Sequence, residues 1–351
     1  VRAGVALAAL VLASCGTDAD STPDVTLRFG PWVQAKGSED PDLCVAATLH
    51  NNKPLFINSV SMAAAPGLHH SNWMWVPDND AFDFPEGSFK CSQGDGTHPF
   101  DQQIAGVFGG VLFAQSTQAT SEVQQFPTGA VIEIPPHSRV VADVHLVNSG
   151  DEDITVPLTL TLHPIPEREV TELMAAMTMQ NFAIALPPMQ RSSFVVECDL
   201  TPRWQDLYSR GFVASPVPDF KIYHALAHYH QLGTGLTMEA IRDSDGGSDV
   251  IWTTEGLIGD ELGGMLAPEF DMTGHSKLRL TCNYDNTNNT TVYWGNAKAE
   301  MCVGFAYTDS TYKWTAGIDS TGESPGSPVD QNGVAVFDAP SCLVIPADNS
   351  Q

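Results

Sequence analysis

The sequence predicts an all-β chain built as two tandem β-sandwiches. Three observations carry that expectation: short runs rich in β-branched residues, period-2 alternation within them, and their grouping into two successive sets around one segment of different character. The first set comprises VTLRF, LCVAATLH, LFINSVSMA, VFGGVLFAQ, AVIEIPP, RVVADVHLVN and ITVPLTLTLHPI, separated by Gly, Pro, Asn and Asp. In the last of these Leu158, Leu160 and Leu162 alternate with threonines, which gives a strand one apolar and one polar face. The second set comprises NFAIALPP, SFVVECDL, KIYHALAHYHQL, GLTMEAIRD, DVIWTTEGL, SKLRLTCNY and MCVGFAYT. Each set holds about seven strands, the complement of one sandwich. Between them EREVTELMAAMTMQN, residues 167–181, carries the local spacing of an amphipathic helix and marks the junction. The expected domains are therefore 25–166 and 167–351, the second with a loop-like tail after Thr311 that regains strand character at VAVF.

The beginning of the chain reads as an address. Arg2 precedes the apolar run AGVALAALVLASCG, which has the length of a signal-peptide core and is too short for a bilayer span. Its end, Leu12-Ala13-Ser14-Cys15, resembles a bacterial lipobox, so residues 1–15 are expected to direct export and Cys15 to carry a lipid. Residues 16–24, GTDADSTPD, would form a tether, and the lipid would be the only membrane attachment, facing the periplasm or the cell surface. Forty-two acidic against 16 basic residues leave a net charge of −26 in 351 residues, which repels phosphate backbones and excludes nucleic acid as a partner. Setting Cys15 aside leaves Cys44, Cys91, Cys198, Cys282, Cys302 and Cys342, an even number that points to disulfides in an exported chain and leaves their pairing open. No CxxC occurs, so a thiolate zinc site has no support.

The histidines carry the chemistry. In AHYHQLG, His228 and His230 are two apart, and on a strand they present two imidazoles to one face. GLHHSNWMW supplies His69 and His70; adjacent strand residues face opposite sides, so this pair can share a metal only where a bulge or strand end turns the backbone. ADVHLVN supplies His145, and AEMCVGF supplies Met301. Imidazole suits copper, zinc, iron and nickel, whereas a thioether selects Cu(I). Singly, these signals are weak: an HH pair is usually surface sequence, a strand histidine is usually hydrogen-bonded, and a methionine is usually core.

Their order is more specific. HH, a single strand histidine about 75 residues later, HxH in the next domain and Met-Cys about 70 residues beyond together resemble the copper type II, ascorbate-dependent monooxygenases. That family includes peptidylglycine α-hydroxylating monooxygenase and dopamine β-monooxygenase. The likeness runs from about Asp42 to Tyr307, with CNYDN at Cys282 and EMCV at Glu300 similar to the dopamine enzyme. It implies two jelly-roll-like sandwiches, each holding one copper, with the coppers facing each other across a solvent-filled cleft. His69, His70 and His145 would hold the electron-storing copper; His228, His230 and Met301 would hold the copper that meets O₂. The resemblance also implies the pairs Cys44–Cys91, Cys198–Cys342 and Cys282–Cys302, and an extended junction at 167–181 against its local helical spacing. Asp143, two residues before His145 where the amidating enzymes have glutamine, becomes a candidate to raise the basicity of a nearby imidazole.

The function implied is hydroxylation of an unactivated C–H bond of a small molecule, using O₂ and electrons from ascorbate or an equivalent donor. The peptide-amidating branch anchors its substrate carboxylate with an Arg before HxH and with Asn and Tyr after the Met. Those positions are Leu226, Val303 and Phe305 here, which removes the anchors and suggests an apolar pocket for an aliphatic or aromatic substrate. Two other readings are a copper lipoprotein for storage, delivery or sensing, and a structural β-sandwich protein with incidental histidines.

Overall fold

In a computed structural model the described residues are 22–96, 98–295, 299–310, 312–318, 332–338 and 343–346. Among them the chain forms two sandwiches in sequence. In the first, one sheet has the strand order Val25–Gln34, Ile154–Ile165, Leu55–Ala64, Ala130–Ile134 and Glu172–Leu173, with Ser121–Gln125 also paired to Leu55–Ala64. Its facing sheet runs Gly87–Lys90, Glu39–Thr48, Ser138–Val147, Leu68–Pro77 and Gly110–Ala114. Alternation along Ile154–Ile165 buries Val156, Leu158, Leu160 and Leu162 against Trp73, Val140, Ala142 and Val144 of the facing sheet.

The second sandwich has one sheet of Gly263–Asp271, Lys221–His228, Val303–Thr308, Ala175–Asn181, Tyr312–Ile318 and Leu343–Pro346. The other runs Ser248–Thr254, Gly233–Arg242, His275–Asn286, Gln190–Asp199 and Val334–Asp338. Met177, Met179, Ile222 and Ala225 from the first meet Phe194, Val196, Leu236 and Leu280 from the second in its core. Among the described residues no helix is long and apolar enough to cross a membrane.

The segment 167–181 is extended, as the resemblance implied and its local spacing did not. A short 3-10 turn at Glu167–Glu169 leads to Glu172–Leu173, which adds a parallel strand beside Ala130–Val131 of the first sandwich. Ala175–Asn181 then enters the second sandwich between two neighbours, burying Ala175, Met177 and Met179 in strict alternation. Glu, Leu, Met and Ala favour helix in isolation, but pairing on both edges and burial of alternate side chains outweigh a propensity of a few tenths of a kcal/mol per residue. The first sandwich therefore keeps the chain through Leu173, a little beyond the expected boundary at 166.

The sheet carrying Lys221–His228 is covered on both faces. Ile222, Ala225 and Ala227 point into its own sandwich, while Tyr223, Leu226, Phe305 and Tyr307 join the apolar core of the first. Tyr307 packs edge-on against Phe126 at 4.8 Å between centroids, and its hydroxyl donates to the Val111 carbonyl at 3.3 Å. The two sandwiches are thus joined through a shared core. Burial on both sides explains why KIYHALAH reads as a near-continuous apolar run.

Two of the expected disulfides are present: Cys44–Cys91 and Cys282–Cys302. Cys198 is also disulfide-bonded, and its expected partner Cys342 lies outside the described residues. Such bonds form and persist in an oxidising compartment, which indicates export. The signal segment, the tether up to residue 21 and Cys15 lie outside the described residues.

Candidate metal centre

Five histidines converge where the sandwiches meet. Gly67, at φ +110°, turns the chain into Leu68–Pro77 at a point where a Cβ would collide with Ile154. The pairing with Ser138–Val147 then slips between Leu68 and His70, leaving His69 as the extra residue of a bulge. That bulge is the turn an HH pair requires to face one metal. His70 sits directly opposite His145, and the rings of His69, His70 and His145 lie 4.7 to 5.1 Å apart.

His228 ends the strand Lys221–His228 of the facing domain, and His230 follows just beyond it. The His230 carbonyl accepts from the Gly233 amide at 3.1 Å to reverse the chain, and only a glycine fits there under the Tyr229 ring. Across the interface His69 lies 5.0 Å from His230, and His70 lies 5.3 Å from His228, ring centre to ring centre. One ligand nitrogen each of His69, His70 and His230 falls within 4.8 Å of the others. The expectation of two sites separated by a solvent-filled cleft is corrected here: the shared apolar core closes the sandwiches, and the five histidines of both ligand sets meet in one buried cluster. All five side chains are no more than 7% exposed.

Hydrogen bonding fixes which nitrogen each ring offers. His228 Nδ1 lies 2.9 Å from the Ser116 carbonyl and 3.2 Å from that of Gln115. His230 Nδ1 lies 2.9 Å from the Ala299 carbonyl. A carbonyl only accepts, so Nδ1 carries the hydrogen in both, and Nε2 keeps the lone pair. His145 is reversed: its Nε2 meets a carboxylate oxygen of Glu39 at 2.9 Å, leaving Nδ1 as the lone pair. His230 Nε2 and His145 Nδ1 are both buried without a protein partner. His69 and His70 bring their Nδ1 atoms within 3.1 Å, where at most one proton fits between them.

Burial also keeps the rings neutral. Desolvation holds His69 and His230 down to about 3, and it depresses His70, His228 and His145 as well, the last against the opposing pull of Glu39. Neutral imidazoles gathered in this way, with His145 Nδ1 and His230 Nε2 left without a protein partner, could hold a metal ion. The residues present fit a copper ion: nitrogen donors, buried, with the remote nitrogens of His145, His228 and His230 already hydrogen-bonded.

Around the rings, the sequence reading needs two corrections and several additions. Asp143 does not act on an imidazole: it bonds Asn72, its register partner, burial pushes its carboxyl up to about 7, and its Oδ1 has no partner. The carboxylate on His145 is Glu39 instead. Leu226 and Phe305 do not line an open pocket; at 2% and 4% exposure they are packed in the interdomain core. Val303 is half-buried opposite His228 in the ladder. Met301 adjoins His230 through the chain, since Ala299 takes the His230 Nδ1–H and Glu300 accepts the His230 and Leu232 amides at 2.9 and 2.6 Å. The Met301 carbonyl accepts from the Tyr284 hydroxyl at 2.6 Å, and the next residue is bonded to Cys282. Burial raises the Glu300 carboxyl to about 7.

No protein-family model and no curated protein matches the chain. Among solved structures it is similar to PNGase F, a glycosylasparaginase from Flavobacterium meningosepticum, at 8% identity and TM-score 0.32, covering 92% of this chain and 99% of that one. A triple-jelly-roll protein of an archaeal virus aligns at 10% identity and TM-score 0.21, over 81% and 58% of the two chains. A secreted protein from Parabacteroides distasonis aligns at 9% identity and TM-score 0.20, over 83% and 90%. At these values the likeness extends no further than β-rich architecture.

Proposed function

We propose that the interdomain cluster holds copper and that the chain is a copper-dependent monooxygenase, hydroxylating a C–H bond of a small apolar or aromatic substrate with O₂ and an ascorbate-type donor. The observation that carries this reading is a cluster of five buried, neutral imidazoles in which His69, His70 and His230 bring ligand nitrogens within 4.8 Å of one another, while the remote nitrogens of His145, His228 and His230 are held by Glu39, Ser116 and Ala299. Its agreement in order and spacing with the six ligands of the resembling family supports redox copper over zinc. Copper so bound would supply one-electron steps between Cu(I) and Cu(II) toward O₂. The chain's part is to exclude water, fix the ring tautomers and keep Met301 tied to His230 through the Glu300 bridge. His69, His70 and His145 would serve one copper and His228, His230 and Met301 the other, the two sets being adjacent. Export with lipid attachment at Cys15 belongs to the same reading.

The burial of the cluster favours a second reading, a copper holder without turnover. Copper-loaded protein in an O₂ electrode with ascorbate and a panel of small aromatic and aliphatic compounds decides between them. Substrate-dependent O₂ uptake with a hydroxylated product supports the enzyme. Tight copper binding with only background ascorbate oxidation supports the holder.

A further inference from the structure

We infer that Ser116, held in place by Glu122, is a positioning residue that the first sandwich contributes to the ligand set of the second. The proposal rests on the copper reading above and concerns the bend Gln115–Thr117, which follows the strand Gly110–Ala114.

Each residue of that bend is almost wholly buried, and each is tied on more than one side. The Gln115 amide donates to the Ser71 carbonyl at 3.3 Å, and its side chain accepts from the Ser71 hydroxyl at 3.2 Å and donates to the Ala119 carbonyl at 2.8 Å. Ser71 is the residue after His70, so the bend is anchored to the strand that carries the HH pair. The Ser116 amide donates to both Glu122 oxygens, at 3.2 and 3.1 Å, while its hydroxyl accepts from the Leu262 amide of the second sandwich at 3.0 Å. Thr117 donates to the Asp260 carbonyl at 2.7 Å and accepts from the Gly259 amide at 3.1 Å. Beside them the Val123 amide donates to Glu261 at 3.1 Å.

The product of these bonds is a fixed pair of carbonyls, the farther of which, Gln115 O, lies 3.2 Å from His228 Nδ1. Ser116 O meets His228 Nδ1 at 2.9 Å across the interface. Without this pair a neutral His228 could place its hydrogen on either nitrogen and rotate. With it, the hydrogen stays on Nδ1 and Nε2 stays open toward the cluster. Glu122 acts at one remove: by accepting the Ser116 N–H at both oxygens it pins the Gln115–Ser116 peptide, whose own carbonyl also faces the ring, and so fixes the residue from which the Ser116 carbonyl projects. The dependence is therefore built across the domains, and the second ligand set is complete only while the sandwiches are docked.

The test uses the full chain, ¹⁵N-labelled and copper-free, with imidazole tautomers read from two-bond N–H correlations. Wild type should show His228 as the Nδ1–H form. Glu122→Ala should move its tautomer ratio toward Nε2–H by roughly fivefold, the worth of one hydrogen bond. Glu122→Gln should restore it, because an amide oxygen still accepts the Ser116 amide. His224, buried four residues earlier on the same strand, should not respond in either variant. Copper(II) titration should show a loss of about 10- to 100-fold in affinity for Glu122→Ala and near-wild-type binding for Glu122→Gln. Where Glu122→Ala does not fold, Ser116→Ala, which deletes only the hydroxyl anchor to Leu262, should give a smaller shift in the same direction. A wild-type His228 in the Nε2–H form, or variants that leave it unchanged, overturns the inference. A His228 response in protein that takes up no copper upholds it and overturns the copper reading; copper uptake with an unresponsive His228 does the reverse.

Discussion

At the scale of single residues, His230 is the sharpest probe of how the cluster works. It is the second-domain ring that brings a nitrogen within 4.8 Å of those of both His69 and His70. If the two ligand sets share one buried space, His230→Ala should weaken copper retention by the first set as well, by about 10-fold or more. Competition titrations against a chelator, with the Cu(II) spin-resonance spectrum as readout, check this; a first set unaffected by the loss would show the sites to be independent. His224 tests the acid response without touching a ligand. Burial between Phe126 and Tyr307 holds it at about 4, against an unfolded value near 6.5. Between those values the unfolded chain binds the proton that the native one refuses. Stability from this group is therefore complete above about pH 6.5 and lost as pH falls toward 4, by ~3 kcal/mol at most. His224→Phe should flatten the fall in melting temperature of copper-free protein between pH 7 and 4.5, and a parallel fall in both proteins would refute the assignment.

At the scale of elements, the strand Val303–Thr308 and the Met301 segment before it depend on the Cys282–Cys302 bridge. The bridge spans 20 residues, and replacing both cysteines by serine should cost about 3 kcal/mol in denaturant unfolding through the entropy released to the unfolded chain. Copper affinity should fall in the same variant, because Ala299 and Glu300 reach His230 from the segment that the bridge secures. Elements were unevenly legible in the sequence. Period-2 runs such as ITVPLTLTLHPI announce their strand and its buried face. HxH reads as a pair because i and i+2 share a strand face, although the strand ends at His228 and His230 follows it, while HH is legible only as a requirement for a bulge, which the slip at His69 meets. The segment 167–181 misleads locally, since its partners are strands distant in the chain, with Glu172 opposite Ala130 and Ala175 opposite Thr308.

At the scale of the molecule, the interface between sandwiches decides whether five histidines form one cluster or two sites. Leu226 and Phe305 are central to it, each nearly fully buried between the domains. Phe305→Ala should cost about 3–5 kcal/mol. Leu226→Asp, which places an unpaired charge in the same layer, should separate the sandwiches while each keeps its own core. Small-angle scattering should then report a larger radius of gyration at unchanged far-ultraviolet circular dichroism, and copper spectra should lose any sign of coupling between the sets. Scattering identical to wild type would mean that the interface does not govern the arrangement.

The sequence by itself determined the β class, the division into two sandwiches and the cysteines available for bridging, each written in local spacing or composition, where side-chain period and donor chemistry act over a few residues. The histidines that gather at the site were singled out by their order along the chain, through its resemblance to the copper monooxygenases. Tertiary structure alone decided who stands behind those rings. Glu39 reaches His145 over 106 positions, Ser116 reaches His228 over 112, and Ala299 reaches His230 over 69. It also turned Leu226 and Phe305 from a supposed pocket into a seam. Neither fact has a local signature, because a hydrogen bond or an apolar contact between distant strands depends on register and domain docking, and these are fixed only when the whole core is packed.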